Sequence, residues 1–204
     1  MPAVELFHYH LVTNRAREVE ARYLGKLGFE LVARHGRLGE EVVSYRPGVS
    51  WVELDGLGFE LGLSELELGA VNVVIQPGLW PLPRVDHLGL ALGEHELEQA
   101  LGRARSAGLA IQEHDDRPAL VSTSAGYRLE LSLLVDAIDT SAIRSHRLLE
   151  LYLKTDDPDG SAAMLAGVLD CVRAGGKVEV GETLVRFVPG GPHGRPELYA
   201  ERFG

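Results

Sequence analysis

The chain has 204 residues, 45% of them apolar and 25% charged, so it can bury a core like an ordinary soluble domain. Its formal net charge of −10 argues against a general nucleic-acid binder, because phosphate binding requires a concentrated positive surface. A single cysteine, Cys171, excludes an internal disulfide and a cysteine-rich zinc site. No apolar run approaches the length of a membrane span, and the N-terminus lacks a signal-peptide pattern, so we expect a cytoplasmic protein.

The first elements are a strand, a helix and a second strand. Strand alternation is expected to place Leu6, His8, His10 and Val12 on one face, and Phe7, Tyr9 and Leu11 on the other. A helical apolar stripe follows, formed by Ala16, Val19, Tyr23 and Leu27. Gly28 is suited to the left-handed position that ends a helix, and residues 29–32 predict the second strand.

The same pattern begins again at residue 86. A predicted strand over 86–92 precedes a helix that extends to Ala107, and Gly108 separates this helix from another strand. The ends of the two copies also match, because residues 56–61 and 126–131 each place a glycine four residues before a glutamate. Such self-similarity indicates repeated β-α-β-β-β units.

A third, weaker copy fills the C-terminal part of the chain. Residues 148–154 predict a strand, and Asp157 followed by Pro158 is typical of a helix start. An apolar stripe from Ala162 to Val172 supports this helix, and a hairpin is expected around Gly181. We therefore predict units at residues 4–66, 84–134 and 146–204. The connecting segment 67–83 contains a strand-like piece near 70–76, which could be an additional edge strand, and a proline-rich stretch.

Four residues whose side chains can bind a metal occupy equivalent positions in the first two copies. His8 and His87 lie on the first strands, whereas Glu60 and Glu130 lie on the last strands. If the units pair about a pseudo-twofold axis, these side chains can meet in one cleft. Two imidazoles and two carboxylates form a mixed nitrogen and oxygen site for a divalent metal. Each residue also has a structural alternative, as a hydrogen-bonded strand histidine or an edge-exposed glutamate.

The first two copies resemble the vicinal oxygen chelate superfamily, which includes glyoxalase I, extradiol dioxygenases, fosfomycin-resistance transferases and bleomycin-binding proteins. The resemblance rests on His8, Tyr23, residues 27–29 and 60–61, and on Asp86, His87, Glu94, Gly108 and residues 126–130. It implies a glyoxalase-like α+β fold, in which repeated βαβββ modules form a curved mixed sheet around one divalent metal. The implied ligands are His8, Glu60, His87 and Glu130, and Ni, Zn, Co, Mn and Fe(II) all accept such ligands.

Departures from the family pattern concern Arg15 and the third copy. Arg15 stands where the family has an acidic residue, seven positions after the first-strand histidine. In the third copy, Glu150 and Glu197 occupy the positions that match the metal ligands, but no first-strand histidine accompanies them. We expect these two glutamates to be solvated or ion-paired, and we expect the third units of two chains to pair in a homodimer.

Three neighbours of the predicted ligands are candidates for substrate contacts: His10, Tyr9 and Trp51. His10 shares a strand face with His8 and could instead be a ligand. Tyr9 and Trp51 could line an apolar pocket, although core packing is the expected role of Trp51. Glu53 competes with Glu60 for the carboxylate position, and the spacing from the preceding glycine favours Glu60.

The resemblance implies three functions. The first is a glyoxalase-like lyase or isomerase that polarises a carbonyl or enediolate, with Glu130 or Glu60 as the general base. The second is an Fe(II) extradiol dioxygenase that uses two histidines and one glutamate, for which Glu60 would block an open metal position. The third is a non-catalytic protein that binds a small molecule, as in drug resistance. In each case the partner is a small molecule, without nucleic acid or membrane.

Overall fold

The computed structural model describes residues 4–114, 117–133, 146–191 and 194–204, and at positions 114 and 117 only the backbone. These residues form a curved, open sheet of 14 strands together with 4 helices. The predicted α+β fold of repeated modules is confirmed. The predicted end of the second unit, at residue 134, lies outside the described residues.

The first module contains β1 (Val4–Thr13), α1 (Ala16–Lys26), β2 (Glu30–Leu38), β3 (Glu41–Tyr45), α2 (Trp51–Leu57), β4 (Phe59–Leu68) and β5 (Val71–Pro77). Its strands lie side by side in the order β1–β5–β4–β2–β3. The strand near 70–76 is present as β5, but it lies inside the sheet and is not an edge strand. β5 pairs in parallel with β1 and antiparallel with β4, and its alternate apolar residues Val71, Val73 and Ile75 are buried in the core.

The second module contains β6 (Arg84–Leu92), α3 (Glu94–Ser106), β7 (Ala110–His114), β8 (Arg117–Ser122) and β9 (Arg128–Leu133). It repeats this arrangement, with its strands in the order β6–β9–β8–β7. β6 lies antiparallel beside β1, so the first strands of the two modules form the seam between them.

The third module contains β10 (Leu148–Thr155), α4 (Pro158–Leu169), β11 (Arg173–Ala174), β12 (Lys177–Val180), β13 (Thr183–Pro189) and β14 (Glu197–Phe203). Its strands lie in the order β10–β13–β12–β11, and β14 lies on the other side of β10. β14 reaches the second module where Glu197 pairs with Arg84 of β6. The predicted helix start is confirmed, since the Asp157 carboxylate accepts a hydrogen bond from the backbone of Gly160.

Two local features differ from the predicted pattern. The apolar stripe of α4 ends at Leu169, and Val172 lies beyond the helix with 68% of its surface exposed. A short helix, α2, is not among the predicted elements, although Ser50 and Glu53 form a capping box that marks its start. None of the helices in the described ranges is long and apolar enough to cross a membrane.

A β-bulge in β1 decides which side chains face the core. The pairing of β1 with β6 shifts between Leu6 and His8, so Phe7 is an extra residue and the alternation changes phase there. Leu6 therefore joins Tyr9 and Leu11 in the core, contrary to the predicted face it shares with His8. On the other face of β1, Phe7 and His8 line a cavity together with His10.

Candidate metal centre

The cavity lies over the seam between the first two modules and has a volume of about 650 Å³. β1 and β6 contribute histidines to it, β9 contributes Glu130, and β2, β4 and β5 form its other wall. Its polar lining residues are His8, His10, His35, Glu65, Glu67, Asn72, His87 and Glu130.

Three histidines converge at one point of this cavity. His8 Nε2 lies 3.1 Å from His87 Nε2, and the ring centroids of His10 and His87 are 4.7 Å apart. One ring nitrogen from each of the three residues lies within 4.8 Å of the others. This spacing allows all three imidazoles to bind a single ion.

The outer nitrogen of His8 is held by a neighbouring strand. His8 Nδ1 donates a hydrogen bond of 2.7 Å to Asn72 Oδ1, which leaves Nε2 as the unprotonated nitrogen, directed toward His87 Nε2. Asn72 Nδ2 in turn donates to Glu65 Oε1 at 3.0 Å. The ring orientation of His8 is therefore set by a chain of hydrogen bonds that begins at Glu65.

His87 is held by Asp86, its neighbour in sequence. The separation between His87 Nδ1 and Asp86 Oδ2 is 3.0 Å, and Asp86 also accepts hydrogen bonds from Arg128 and from Arg195 Nη2, the latter at 2.7 Å. Arg195 belongs to the segment that leads into β14 of the third module. The two guanidinium groups and the bond to His87 outweigh burial and hold the pKa of Asp86 well below its ordinary value. Asp86 is thus a fixed carboxylate that orients His87.

Glu130 completes the group from β9. Its carboxylate lies 3.3 Å from His87 Nε2, and 23% of its side chain is exposed. Burial alone would raise the pKa of Glu130, but the hydrogen bond to His87 and the nearby histidines lower it below the ordinary value. Glu130 is therefore an anion that can bind a cation in this cavity.

Electrostatics keep two of the three imidazoles neutral. Burial and the neighbouring His87 lower the pKa of His8 to about 4 and that of His10 to about 3. Burial also acts to lower the pKa of His87, but Asp86 and Glu130 outweigh it and raise that pKa above its ordinary value. Neutral imidazoles are the form that binds metals.

The residues fit a divalent metal. His10 Nε2 is buried and, among the described residues, has no hydrogen-bond partner. A buried ring nitrogen without a partner costs free energy, and a metal would remove that cost. Three imidazoles and one carboxylate suit the borderline cations Mn, Fe(II), Co, Ni and Zn.

The two modules contribute to this centre unequally. His10 and His87 lie directly opposite each other in the β1–β6 pair, and His10 lies across from Val74 as His87 lies across from Arg128. Two positions further along, Gln76 in the first module therefore corresponds to Glu130 in the second. Gln76 is within hydrogen-bonding reach of His10. The centre thus has one carboxylate where a symmetric pair would have two.

Glu60 lies apart from the other predicted ligands. It is an exposed residue of β4 that lies opposite Arg37 in the strand register of β2 and β4, and it does not line the cavity. In the sheet, β5 separates β4 from the first strand β1, whereas β9, which carries Glu130, lies directly beside the first strand β6, so the matching glycine-to-glutamate spacings do not mark equivalent strands. The similarity between residues 56–61 and 126–131 is therefore confined to the local sequence and does not extend to the position of the strands in the sheet.

Tyr9 and Trp51 also lie outside the cavity. Tyr9 is fully buried on the core face of β1, and its hydroxyl is 3.0 Å from that of Tyr23. Trp51 begins α2 and donates a hydrogen bond to Glu20 at 2.9 Å. His10, by contrast, lies in the histidine cluster itself.

The matching positions of the third module carry an ion-paired group. Glu150 Oε2 lies 3.2 Å from Arg186 Nε, and Glu150 also accepts hydrogen bonds from Arg202 and Tyr152. The expected ion pairing of Glu150 is confirmed. Both oxygens of the Glu150 carboxylate therefore bind side chains of the protein, which argues against a metal at this position.

Asn72, Glu65 and Asp86 are site residues that the sequence analysis did not single out as such. The sequence could have indicated Asp86, because it directly precedes a candidate ligand histidine. No feature of the sequence indicated Asn72 and Glu65, since they approach His8 only through the pairing of β5 with β1 and β4.

No family model and no curated protein sequence matches this chain. Solved structures do match it at low sequence identity. They include a triple mutant of 4-hydroxymandelate synthase from Streptomyces coelicolor, with a TM-score of 0.63 and 16% identity over 100% of this chain and 71% of that chain. The Mn(II)-bound glyoxalase from Novosphingobium aromaticivorans has a TM-score of 0.60 and 12% identity over 97% of this chain.

The 2,3-dioxygenase LapB from Pseudomonas sp. KL28 has a TM-score of 0.58 and 12% identity over 96% of this chain and 74% of that chain. This chain spans 64% of the glyoxalase, slightly less than two-thirds of its length. Identities this low establish a common architecture of modules and sheet, and no more. The chain has the fold of the vicinal oxygen chelate superfamily.

Proposed function

We propose that this chain is a divalent-metal-dependent enzyme whose substrate binds the metal through two adjacent oxygen atoms. The observation that carries this proposal is the convergence of three imidazoles beside Glu130, those of His8 and His87 buried and that of His10 half-buried, with the buried His10 Nε2 lacking a partner among the described residues. Burial of so many ionisable groups is costly, and a bound cation offsets that cost.

The reaction that this donor set supports best is the cleavage of the aromatic ring of a catechol, which carries two adjacent hydroxyl groups, by dioxygen. His10, His87 and Glu130 would hold the metal as two histidines and one carboxylate, a set typical of non-haem Fe(II) oxygenases. Gln76 takes the place of a second carboxylate, and Glu60 lies outside the cavity, so neither occupies a metal position that the substrate or dioxygen needs. The solved structures with this fold include a dioxygenase, which agrees with the proposal.

The bound metal would supply Lewis-acid binding of the diol oxygens and activation of dioxygen. The protein's own contribution is orientation and proton transfer. Asn72 holds His8 with Nε2 toward the cluster, where that nitrogen can accept the proton of a substrate hydroxyl. Asp86 fixes the ring of His87, and the apolar side chains of Phe7, Leu63 and Val74 restrict water beside the substrate.

A second candidate is a glyoxalase-like lyase or isomerase that moves a proton without dioxygen. It is favoured by the position of His8, whose ring nitrogen lies close enough to His10 and His87 to act as a fourth ligand. Four protein ligands leave two positions of an octahedral ion for the substrate, and none for dioxygen. A carboxylate oxygen of Glu130 would then accept the substrate proton.

Metal analysis of variants tests the proposal. Protein purified without a metal-affinity tag should hold about one metal per chain, and His10→Ala and His87→Ala should each lose it. The matched control is Glu60→Ala, which removes an exposed carboxylate of the same module and should leave the metal content unchanged. Failure of the wild type to bind any of the five candidate cations after reconstitution would refute the metal centre.

The variant His8→Gln separates the two reactions. If His8 acts on the substrate, this variant keeps its Fe(II) and loses catechol-dependent oxygen uptake. If His8 is a fourth ligand, the variant loses metal together with activity, and the wild type consumes no oxygen. Oxygen-electrode measurements on anaerobically reconstituted protein distinguish these outcomes.

A further inference from the structure

We propose that the cavity selects a substrate whose end opposite the metal-binding oxygens is positively charged, and that it discriminates against a carboxylate at that end. This inference rests on the proposed function and names its substrate class. It comes from the wall that faces the histidine cluster, which is built by β2, β4 and β5.

Two carboxylates line that wall. Glu65 and Glu67 are two positions apart on β4, so both side chains lie on the cavity face of the sheet. The strand register places Glu67 across from Asn72 on one side and Glu30 on the other. The exposed fraction of Glu65 is 34%, and Glu67 is exposed, so both meet solvent or a ligand rather than the core.

The partners of these carboxylates do not cancel their charge. Glu65 accepts a hydrogen bond from the neutral amide of Asn72 at 3.0 Å, and its second oxygen lies 3.7 Å from His35 Nε2. The side chain of His35 also contacts Ser44 Oγ at 2.7 Å. Glu67 has no ion-pair partner among the residues whose side chains are described.

Positive side chains of this region are engaged elsewhere. No described lysine or arginine lines the cavity. Arg34, next to His35 on β2, lies on the opposite face and binds the buried Glu20. Arg128 and Arg195 lie behind His87 and bind Asp86.

The charges of the metal-loaded cavity would therefore be distributed unevenly. The histidine cluster would hold a metal dication partly neutralised by Glu130, and the wall that faces it carries Glu65 and Glu67. A diol that binds the metal through its oxygens would direct its substituent toward these two carboxylates. Like charges brought together in a partly dehydrated cavity repel more strongly than in bulk water, whereas an ammonium group is attracted.

Three catechols with the same ring test this inference: dopamine, 4-methylcatechol and 3,4-dihydroxyphenylacetate, which carry a cationic, a neutral and an anionic substituent. Their dissociation constants are measured on Zn(II)-loaded protein, which binds a diol without turnover, at pH 8 and low salt. We expect dopamine to bind about tenfold or more tightly than 3,4-dihydroxyphenylacetate, with 4-methylcatechol between them. The difference should shrink as salt is added.

Glu67→Gln is the diagnostic variant, because Glu67 lies on the surface of the wall and its replacement keeps the side-chain shape. It should reduce the preference for dopamine over 3,4-dihydroxyphenylacetate, and it should change the affinity for 4-methylcatechol less than the affinity for dopamine. The control is Glu60→Gln, an exposed glutamate of the same strand outside the cavity, which should change none of the three constants.

The outcomes separate this inference from the proposed function. Equal binding of the three catechols, or tighter binding of 3,4-dihydroxyphenylacetate, would overturn the charge preference and leave the metal-dependent function standing. If metal-loaded protein does not bind even 4-methylcatechol, the proposed function fails and the charge preference fails with it.

Discussion

His10 of β1 and His87 of β6 face each other directly across the antiparallel seam of the first two modules, with ring centroids 4.7 Å apart. Each strand belongs to a different module, so neither module contains the cluster by itself. The pairing of β1 with β6 therefore both completes the sheet and creates the candidate metal centre.

Asp86 and Arg195 should control metal affinity through His87. Asp86→Asn keeps the shape of the side chain but removes the charge that orients His87, so we expect metal binding to weaken about 10-fold to 100-fold. Arg195→Met should act in the same direction with a smaller effect, because Arg128 still holds Asp86. Titration against a competing chelator measures both changes.

The control for this prediction is Arg173→Met, which replaces an exposed arginine of the same module far along the sheet. It should leave metal affinity unchanged. Unaltered affinity in Asp86→Asn would mean that Asp86 only links the second and third modules.

Stability of the metal-free protein should fall between pH 6.5 and pH 4. The pKa of His8 is about 4 and that of His10 about 3 in the folded protein, below their ordinary value of 6.5. In this interval the unfolded chain binds protons that the folded chain does not, so acidification favours unfolding. Each histidine contributes on the order of 2–3 kcal/mol by pH 4, and urea unfolding at several pH values measures the loss.

His10→Gln should flatten this pH profile, because it removes one of the two histidines with a lowered pKa. The raised pKa of His87 has the opposite sign, since it adds stability below pH 6.5 that is lost as the pH rises through its folded value. A profile in His10→Gln as steep as in the wild type would contradict the assignment of the loss to this histidine.

Gly89→Ala should disturb His8 without removing the metal. A Cβ at position 89 would lie 2.6 Å from His8 Cβ and 3.0 Å from its Cδ2, so the imidazole must move. We expect turnover to fall while the metal remains bound, at a cost in the free energy of unfolding of about 1–3 kcal/mol. Activity, metal content and urea unfolding are compared with Gly25→Ala.

Gly25 is a suitable comparison because it lies in α1, where a methyl group on its Cα would have nothing within 4 Å beyond its own helix backbone and chain neighbours. Gly25→Ala should stabilise the protein by about 0.5–1 kcal/mol, since alanine loses less backbone entropy in a helix. Full activity of Gly89→Ala would show that the position of His8 is not critical for turnover.

Arg34→Met should be one of the most destabilising single changes outside the cavity. Arg34 Nη2 lies 2.6 Å from Glu20 Oε1, and both side chains are buried, with Trp51 and Ser64 also donating to Glu20. Removing the guanidinium leaves a buried carboxylate without its counter-charge, which costs about 3–5 kcal/mol. Urea unfolding measures this loss.

The exposed ion pair of Arg17 with Asp55 provides the comparison. Arg17→Met should cost about 1 kcal/mol or less, because solvent screens that pair. Equal effects of the two substitutions would mean that the buried network carries no more stability than a surface contact.

Local sequence patterns were sufficient to predict the modules and some of the residues of the candidate metal centre. The helices α1, α3 and α4 follow from apolar stripes with the stop signals Gly28 and Gly108 and the Asp157 cap. The repeat placed His8, His87 and Glu130 on strands that the structure brings to one cavity. These features depend on residues close together in the chain, whose side-chain directions are set by the helix and strand periods.

The sequence by itself thus determined the repeated α+β modules and two strands that carry histidines. Only the tertiary structure decided which side chains meet. The bulge at Phe7 changed the phase of β1, and the insertion of β5 between β1 and β4 put Asn72 and Gln76, rather than Glu60, beside the histidines. Register and strand order arise from contacts between distant segments, so no local pattern along the chain encodes them.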